Sequence, residues 1–146
     1  YNWIKEYKLN MHHWFFVSDL TYLVRGGRVS KVSGWVGNML NINPLLNIDM
    51  EGHLIPRFKV RGKKKVINQT LNQMIGHAED GLDYKRNCFI SHADALEDAL
   101  KLAQIIEEKF PKLNGKVQLS NIGTTIGSHT GPGTVNLFFW GNKRTD

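Results

Sequence analysis

Cysteine is almost absent from this 146-residue chain, since Cys88 is its only cysteine. A single thiol excludes an internal disulfide and a cluster of cysteine metal ligands, and it is typical of proteins kept in a reducing compartment. We therefore predict a cytoplasmic protein in which Cys88 is a small, buried core residue. No run of about 20 apolar residues is present, so no membrane-spanning helix is predicted, and the first residues lack the layout of a signal peptide.

The motifs of common enzymes and metal sites are missing as well. His12 and His13 are adjacent, so on a strand they would point to opposite faces and could not easily share a metal ion. The other four histidines have no recognised ligand spacing, and the sequence has no zinc-protease, Cys-x-x-Cys or Gly-x-Ser-x-Gly motif. The Gly62-Lys63 pair lacks the upstream glycine and the following serine or threonine of a P-loop. The sequence therefore predicts a binding protein rather than an enzyme, without a metal or a cofactor.

Acidic residues are absent between Glu51 and Glu79, and the chain has a net charge of +6. Six cations lie close together in this interval: Arg57, Lys59, Arg61, Lys63, Lys64 and Lys65. Their alternation with Phe58 and Val60 predicts a strand with one basic face that leads into a helix. Such a face is solvated in most proteins, but it can also bind an acidic partner protein, a nucleic acid or an anionic lipid, and the charge alone does not select among these.

The pattern of apolar residues predicts one α+β domain over residues 1–146, as a two-layer sandwich of a mostly antiparallel sheet with helices packed on one face. We expect strands at 11–17, 45–49, 53–60, 87–91, 116–119 and 134–140, with a hairpin turn at 50–52. Two long helices are predicted. The first has an apolar stripe of Ile67, Leu71, Met74, Ala78 and Leu82, and the second spans 94–110 with Leu96, Leu100, Ala103 and Phe110 facing inward. Shorter helices are expected after a cap at Ser18 or Asp19 and at 33–40, the latter stopped by Asn43-Pro44.

Two glycine-rich elements have the composition of ligand-binding turns. In residues 128–133, the glycines at 131 and 133 can adopt unusual backbone angles or approach a ligand closely, and His129 and Thr130 offer hydrogen-bonding side chains. We expect this segment to be a loop held by the strand that follows it. In residues 23–29, two arginines flank Gly26-Gly27, and guanidinium groups suit a carboxylate or a phosphate.

Together these elements resemble the DegV family of bacterial lipid-binding proteins. The resemblance covers nearly the whole chain, although Asn43 stands where the family commonly has lysine. Family members are roughly twice this length, and the resemblance implies that residues 1–146 correspond to the C-terminal lobe, without the N-terminal lobe. It rests on the segments 16–20 (FVSDL), 22–31 (YLVRGGRVSK), 40–46 (LNINPLL), 59–65 (KVRGKKK) and 126–133 (IGSHTGPG).

The resemblance implies that the protein binds a long-chain fatty acid in an apolar tunnel and presents it to a partner fatty-acid kinase. Arg28, His129 and Thr130 would hold the carboxylate end, near the junction with the N-terminal lobe. The proposed acyl-lining residues are Trp35, Val36, Met39, Leu40, Ile126 and Phe138, although apolar residues in such patterns are more often ordinary core than the wall of a ligand site. The kinase would dock on a face that includes Arg25, Arg28, Arg57, Lys59 and Arg61.

Two other interpretations stay open at this point. The basic segment 57–65 could make the chain a module that binds a polyanion or a nucleic acid, although it lacks the aromatic residues that stack on single strands and a recognisable groove-reading helix. The lobe on its own could also bind nothing, because part of the carboxylate site would belong to the N-terminal lobe.

Overall fold

A six-stranded sheet forms the centre of the protein. The computed structural model describes residues 1–28 and 41–145. The sheet has the order β3-β2-β1-β6-β4-β5. Its neighbouring strands are antiparallel except for the parallel pair β4 and β5. The strands are β1 (Met11–Phe16), β2 (Ile42–Ile48), β3 (Leu54–Arg61), β4 (Phe89–Ala93), β5 (Gln118–Asn121) and β6 (Thr134–Trp140).

Two long helices cover one face of this sheet, which confirms the α+β expectation. Val66, Ile67 and Met74 of the first helix and Leu102 and Ile106 of the second are buried in the main core. The described residues also form three shorter helices. The helices are α1 (Asn2–Tyr7), α2 (Thr21–Arg25), α3 (Lys63–His77), α4 (Leu96–Lys109) and α5 (Thr124–Thr130).

The opposite face of the sheet has a smaller apolar cluster. Because side chains alternate along a strand, Trp14 and Phe16 of β1 face the long helices, whereas Phe15 faces the other way. Phe15 packs in the second cluster with Leu23 of α2 and Leu46 of β2. The short helices α2 and α5 therefore cover part of the face that the long helices leave open, which the sequence did not predict.

The inward faces of the two long helices differ in part from the sequence prediction, since Ile67, Met74, Ala103 and Phe110 are buried as predicted but other residues are not. Leu96 and Leu100 are 53% and 49% exposed, and the buried stripe of α4 includes Leu102 and Ile106 instead. Helix α3 ends at His77, so its predicted stripe is too long, and Leu82 is 46% exposed in a separate turn. The apolar residues of α4 form two possible stripes, one with Leu96 and Leu100 and the other with Leu102 and Ile106. The sequence does not specify which stripe faces the sheet, and packing against the sheet buries the second.

Two local predictions near the glycine-rich elements also differ from the structure. The sequence predicts Ser18 or Asp19 as the N-cap of the first short helix, whereas α2 begins at Thr21 and its N-cap residue is Leu20. The carboxylate of Asp19 still accepts a hydrogen bond from the Thr21 N–H group at 2.8 Å. Residues 128–130 belong to α5 and are not a loop. The predicted helix at 33–40 lies outside the described residues. Pro44 is part of β2, at the end of its pairing with the β1 chain: its carbonyl accepts a hydrogen bond from the Val17 N–H group at 3.3 Å. The Val17 carbonyl, to which proline has no N–H group to donate, accepts from Nδ2 of Asn43 at 3.4 Å.

Cys88 lies just before β4 and is fully buried, as expected for a core thiol. Burial raises the pKa of this thiol to about 12. In the described ranges, no helix combines the length and the apolar character that a membrane span requires.

Candidate ligand-binding site

A cavity of about 640 Å³ lies on the sheet face opposite α3 and α4. Its floor includes Phe15 of β1 and Phe138 of β6, and α5 contributes Ile126 to its wall. Its volume is within the range of small-molecule sites, which is roughly 300–1,000 Å³. The protein thus has an open, mostly apolar space on the face of the sheet that the long helices do not fill.

The two glycine-rich elements meet at one side of this cavity. A methyl group on Gly26 would overlap Nδ1 of His129, so the imidazole can lie there only because residue 26 has no side chain. Gly131 has a φ of +77°, and a side chain at this position would collide with the ring of Tyr22. Glycine therefore allows α2 and the end of α5 to pack closely.

Three predicted carboxylate-binding residues line this cavity. Arg28 is exposed at its mouth, and its Nη1 donates a hydrogen bond to the Gly26 carbonyl at 2.5 Å; its other donors have no partner within residues 1–28 and 41–145. His129 is half-buried and has no hydrogen-bond partner among the described residues. Thr130 is buried, and its hydroxyl donates to the Ile126 carbonyl at 3.2 Å, so only the lone pairs of its oxygen remain for a ligand.

Two predicted acyl-lining residues also line the cavity. Phe138 is half-buried and stacks on the ring of His13, with ring centroids 4.3 Å apart. Ile126 is 60% exposed, so it belongs to the cavity rim rather than to the packed core. The other four predicted lining residues, Trp35, Val36, Met39 and Leu40, lie outside the described residues.

Three polar side chains joined by hydrogen bonds, those of His13, Asn136 and Ser91, also line the cavity, and the sequence did not predict them. Nδ2 of Asn136 donates a hydrogen bond to Oγ of Ser91 at 3.0 Å. The Oδ1 atom of Asn136 lies 3.3 Å from Nε2 of His13. Burial lowers the pKa of His13 from 6.5 to about 4, although the Asn136 hydrogen bond acts in the opposite direction, so the imidazole is neutral at physiological pH. Because side chains alternate along a strand, His13 lies on the same face of β1 as Phe15, and Asn136 lies on the same face of β6 as Phe138. The contact between His13 and Asn136 depends in addition on the strand order, which the sequence does not give.

His12 and His13 point to opposite faces of the sheet, as predicted. His13 stacks on Phe15 and Phe138, whereas His12 stacks on Phe139 and on His77 of α3. Nε2 of His12 lies 2.8 Å from the carbonyl oxygen of Asn142, and burial is the main cause of the lowered pKa of its imidazole.

The basic segment does not form a single face. A bulge in the pairing of β2 with β3 lets Leu45 oppose Phe58 and Leu46 oppose Pro56, which leaves Arg57 as the extra residue. Nε of Arg57 donates a hydrogen bond to Oδ1 of Asn47 at 2.8 Å, and Arg57 lines a small pocket on the side of α3. The bulge thus separates Arg57 from Lys59 and Arg61, which are exposed further along β3, and the sequence could not indicate it. Arg25 is exposed at the end of α2.

One cluster has the composition of a metal site, although the sequence predicts none. The ligand atoms of Asp49, Glu51 and His53 lie within 4.8 Å of one another in the β2–β3 hairpin. Glu51 and His53 are exposed, and Oδ1 of Asp49 accepts hydrogen bonds from the backbone N–H groups of both. These bonds explain the cluster as turn chemistry.

The fold and the cavity together define an α+β domain with a mostly apolar pocket on one sheet face. The chain belongs to the DegV family, whose members are described as uncharacterised proteins and whose family model matches residues 1–142. A DegV domain-containing protein of Clostridium perfringens is 37% identical over 99% of the chain and 48% of its own length. A fatty acid-binding protein of Thermotoga maritima is 38% identical over 84% of the chain and 41% of its own length. The chain thus spans about half the length, or less, of these curated relatives.

The fold is also similar to that of a solved structure with a bound lipid. The crystal structure of the Streptococcus pneumoniae Fatty Acid Kinase (Fak) B3 protein, loaded with linoleic acid, matches with a TM-score of 0.82 and 20% identity. The match covers 97% of this chain and 48% of that protein. At this identity the likeness shows a shared fold.

Proposed function

We propose that the cavity binds a long-chain fatty acid, with the acyl chain in the apolar space and the carboxylate at the end formed by Arg28 and His129. The observation that supports this proposal is that Arg28 and His129, which lie far apart in the sequence, line one mostly apolar cavity. Burial of the chain supplies affinity, at about 0.8 kcal/mol for each methylene group. The guanidinium group and the imidazole supply orientation, because both can donate hydrogen bonds to a carboxylate.

The proposed function agrees with the name of one relative. The Thermotoga maritima relative is named a fatty acid-binding protein, and it is 38% identical to this chain. We further propose that residues 1–146 are the C-terminal lobe of a longer DegV protein and that an N-terminal lobe supplies additional groups for the carboxylate. The role would be that of a carrier, in which the chain binds the acid and a separate enzyme acts on it.

Native mass spectrometry of the purified chain tests the proposal directly, since a bound fatty acid should be retained through mild purification. The double variant Arg28→Ala/His129→Ala should weaken the binding of a fluorescent fatty acid roughly tenfold or more, because two donors to a carboxylate are lost. Arg25→Ala is the matched control, because Arg25 is also an exposed arginine near Gly26 but does not line the cavity. Equal binding by the double variant and the control would reject the carboxylate assignment.

The kinase partner is a proposal of its own, and it follows from the family resemblance. The name of the Streptococcus pneumoniae protein connects the same fold with a fatty acid kinase. Exposed cations near the cavity mouth and on β3, among them Arg28, Lys59 and Arg61, would suit an acidic docking surface on the kinase. Lys59→Glu/Arg61→Glu should then lower kinase turnover and leave fatty-acid retention unchanged. Unchanged turnover would remove β3 from the docking face.

No observation favours the alternative of a nucleic-acid-binding module. The bulge in β3 separates Arg57 from Lys59 and Arg61, so the strand does not present the continuous basic stripe on which that interpretation depended.

A further inference from the structure

The polar side chains on the cavity floor form one hydrogen-bonded chain. With the Asn136 amide oriented so that its Nδ2 faces Ser91, its Oδ1 accepts from His13, and this orientation assigns the proton to Nε2 of the imidazole. Nδ2 of Asn136 in turn donates to Oγ of Ser91. The three side chains therefore form a relay across three neighbouring strands, β1, β6 and β4, in which each residue fixes the role of the next.

Among the described residues, this orientation leaves one acceptor and one donor of the relay without a partner. A neutral imidazole has one N–H group and one lone pair, so Nδ1 of His13 is an acceptor. The hydroxyl oxygen of Ser91 accepts from Asn136, and its own proton has no acceptor in the part of the chain that the structure describes. Both residues line the cavity.

A plain hydrocarbon tail is a poor match for these two groups. Covering a polar group with methylene groups removes its water and returns no hydrogen bond, which weakens binding by roughly tenfold for each group. Phe15 and Phe138, which lie against His13 on the same floor, match a hydrocarbon well. The cavity is therefore suited to a tail that is apolar along most of its length and polar at one point.

On the basis of the proposed function, we propose that the preferred ligand is an oxygenated fatty acid with a hydroxyl group within its tail, which hydrogen bonds with the relay formed by His13, Asn136 and Ser91. A hydroxyl group can donate to Nδ1 of His13 or accept from the hydroxyl of Ser91, so it satisfies either end of the relay. A keto oxygen could use only the Ser91 end, and a carbon–carbon double bond could use neither. The carboxylate stays with Arg28 and His129 at the mouth.

The test compares stearic acid with hydroxystearic acids that differ in the position of the hydroxyl group. Each acid displaces the same fluorescent fatty acid from the purified chain, which gives relative dissociation constants. At least one positional isomer should bind about tenfold more tightly than stearic acid. If no isomer binds more tightly, the relay is satisfied by water or is only structural, and the inference is rejected. If neither stearic acid nor any isomer binds, the proposed function fails as well.

Variants of the relay give a second, independent readout. The double variant His13→Phe/Ser91→Ala keeps an aromatic ring between Phe15 and Phe138 but removes both ends of the relay, so it should reduce the preference for the hydroxylated acid to about one while stearic acid still binds. Ser91→Ala alone removes the donor end together with the acceptor of Nδ2 of Asn136 and changes the packing least, so it should lower the preference and tests the inference if the double variant does not fold. Ser120→Ala is the control, because Ser120 lines the same cavity outside the relay. A preference that persists in both relay variants would overturn the assignment.

Discussion

Acidification should destabilise the fold through His13 by an amount that follows from its burial. In the folded protein, desolvation lowers the pKa of His13 from 6.5 to about 4, and the nearby charge of Arg144 adds to the effect. In the unfolded chain the imidazole has its ordinary value. Between these two values the unfolded state binds a proton that the folded state does not, so the free energy of unfolding falls as the pH falls from about 6.5 to about 4. One pKa unit equals about 1.36 kcal/mol, so the full loss is about 3 kcal/mol.

Urea unfolding at a series of pH values, for the parent chain and for His13→Phe, measures this loss. The variant also loses the hydrogen bond to Asn136, but that loss does not depend on pH, whereas the titration of His13 changes the slope. His12 also has a lowered pKa and is present in both proteins, so its contribution cancels in the difference. NMR titration of the His13 ring gives its folded-state pKa independently. A pKa near 6.5, or parallel stability curves for the two proteins, would refute the reasoning.

Three further predictions concern glycine and cysteine. Gly131→Ala should lower the free energy of unfolding by about 1–3 kcal/mol in urea, because φ is +77° and the new methyl group would meet the Tyr22 ring; an unchanged midpoint would contradict the packing of α2 against the end of α5. Gly76→Ala should raise it by about 0.5–1 kcal/mol, since Gly76 is exposed inside α3 with open space around it, and a loss of stability would show that α3 is irregular there. Cys88 should react with a thiol reagent only after unfolding, because its thiol is buried and has a pKa of about 12; fast reaction of the native protein would disprove that burial.

The sequence determined the features of this protein that depend on neighbouring residues. The β-prone runs at 11–17 and 134–140 predicted both strands of the sheet centre, which the structure has at Met11–Phe16 and Thr134–Trp140, and adjacency alone placed His12 and His13 on opposite faces. The turn between β2 and β3 and the α+β class were predicted in the same way. Family membership also followed from the sequence, because it rests on motifs that are local to the chain.

Only the tertiary structure decided which of these residues meet. Arg28 and His129 reach one cavity because Gly26 lets the imidazole lie against α2, a contact between segments far apart in the sequence. The hydrogen bonds that join His13, Asn136 and Ser91 exist because β6 lies between β1 and β4. A periodic pattern specifies which face of a strand a side chain occupies, whereas the partner on that face is set by strand order and register, and these are properties of the whole chain.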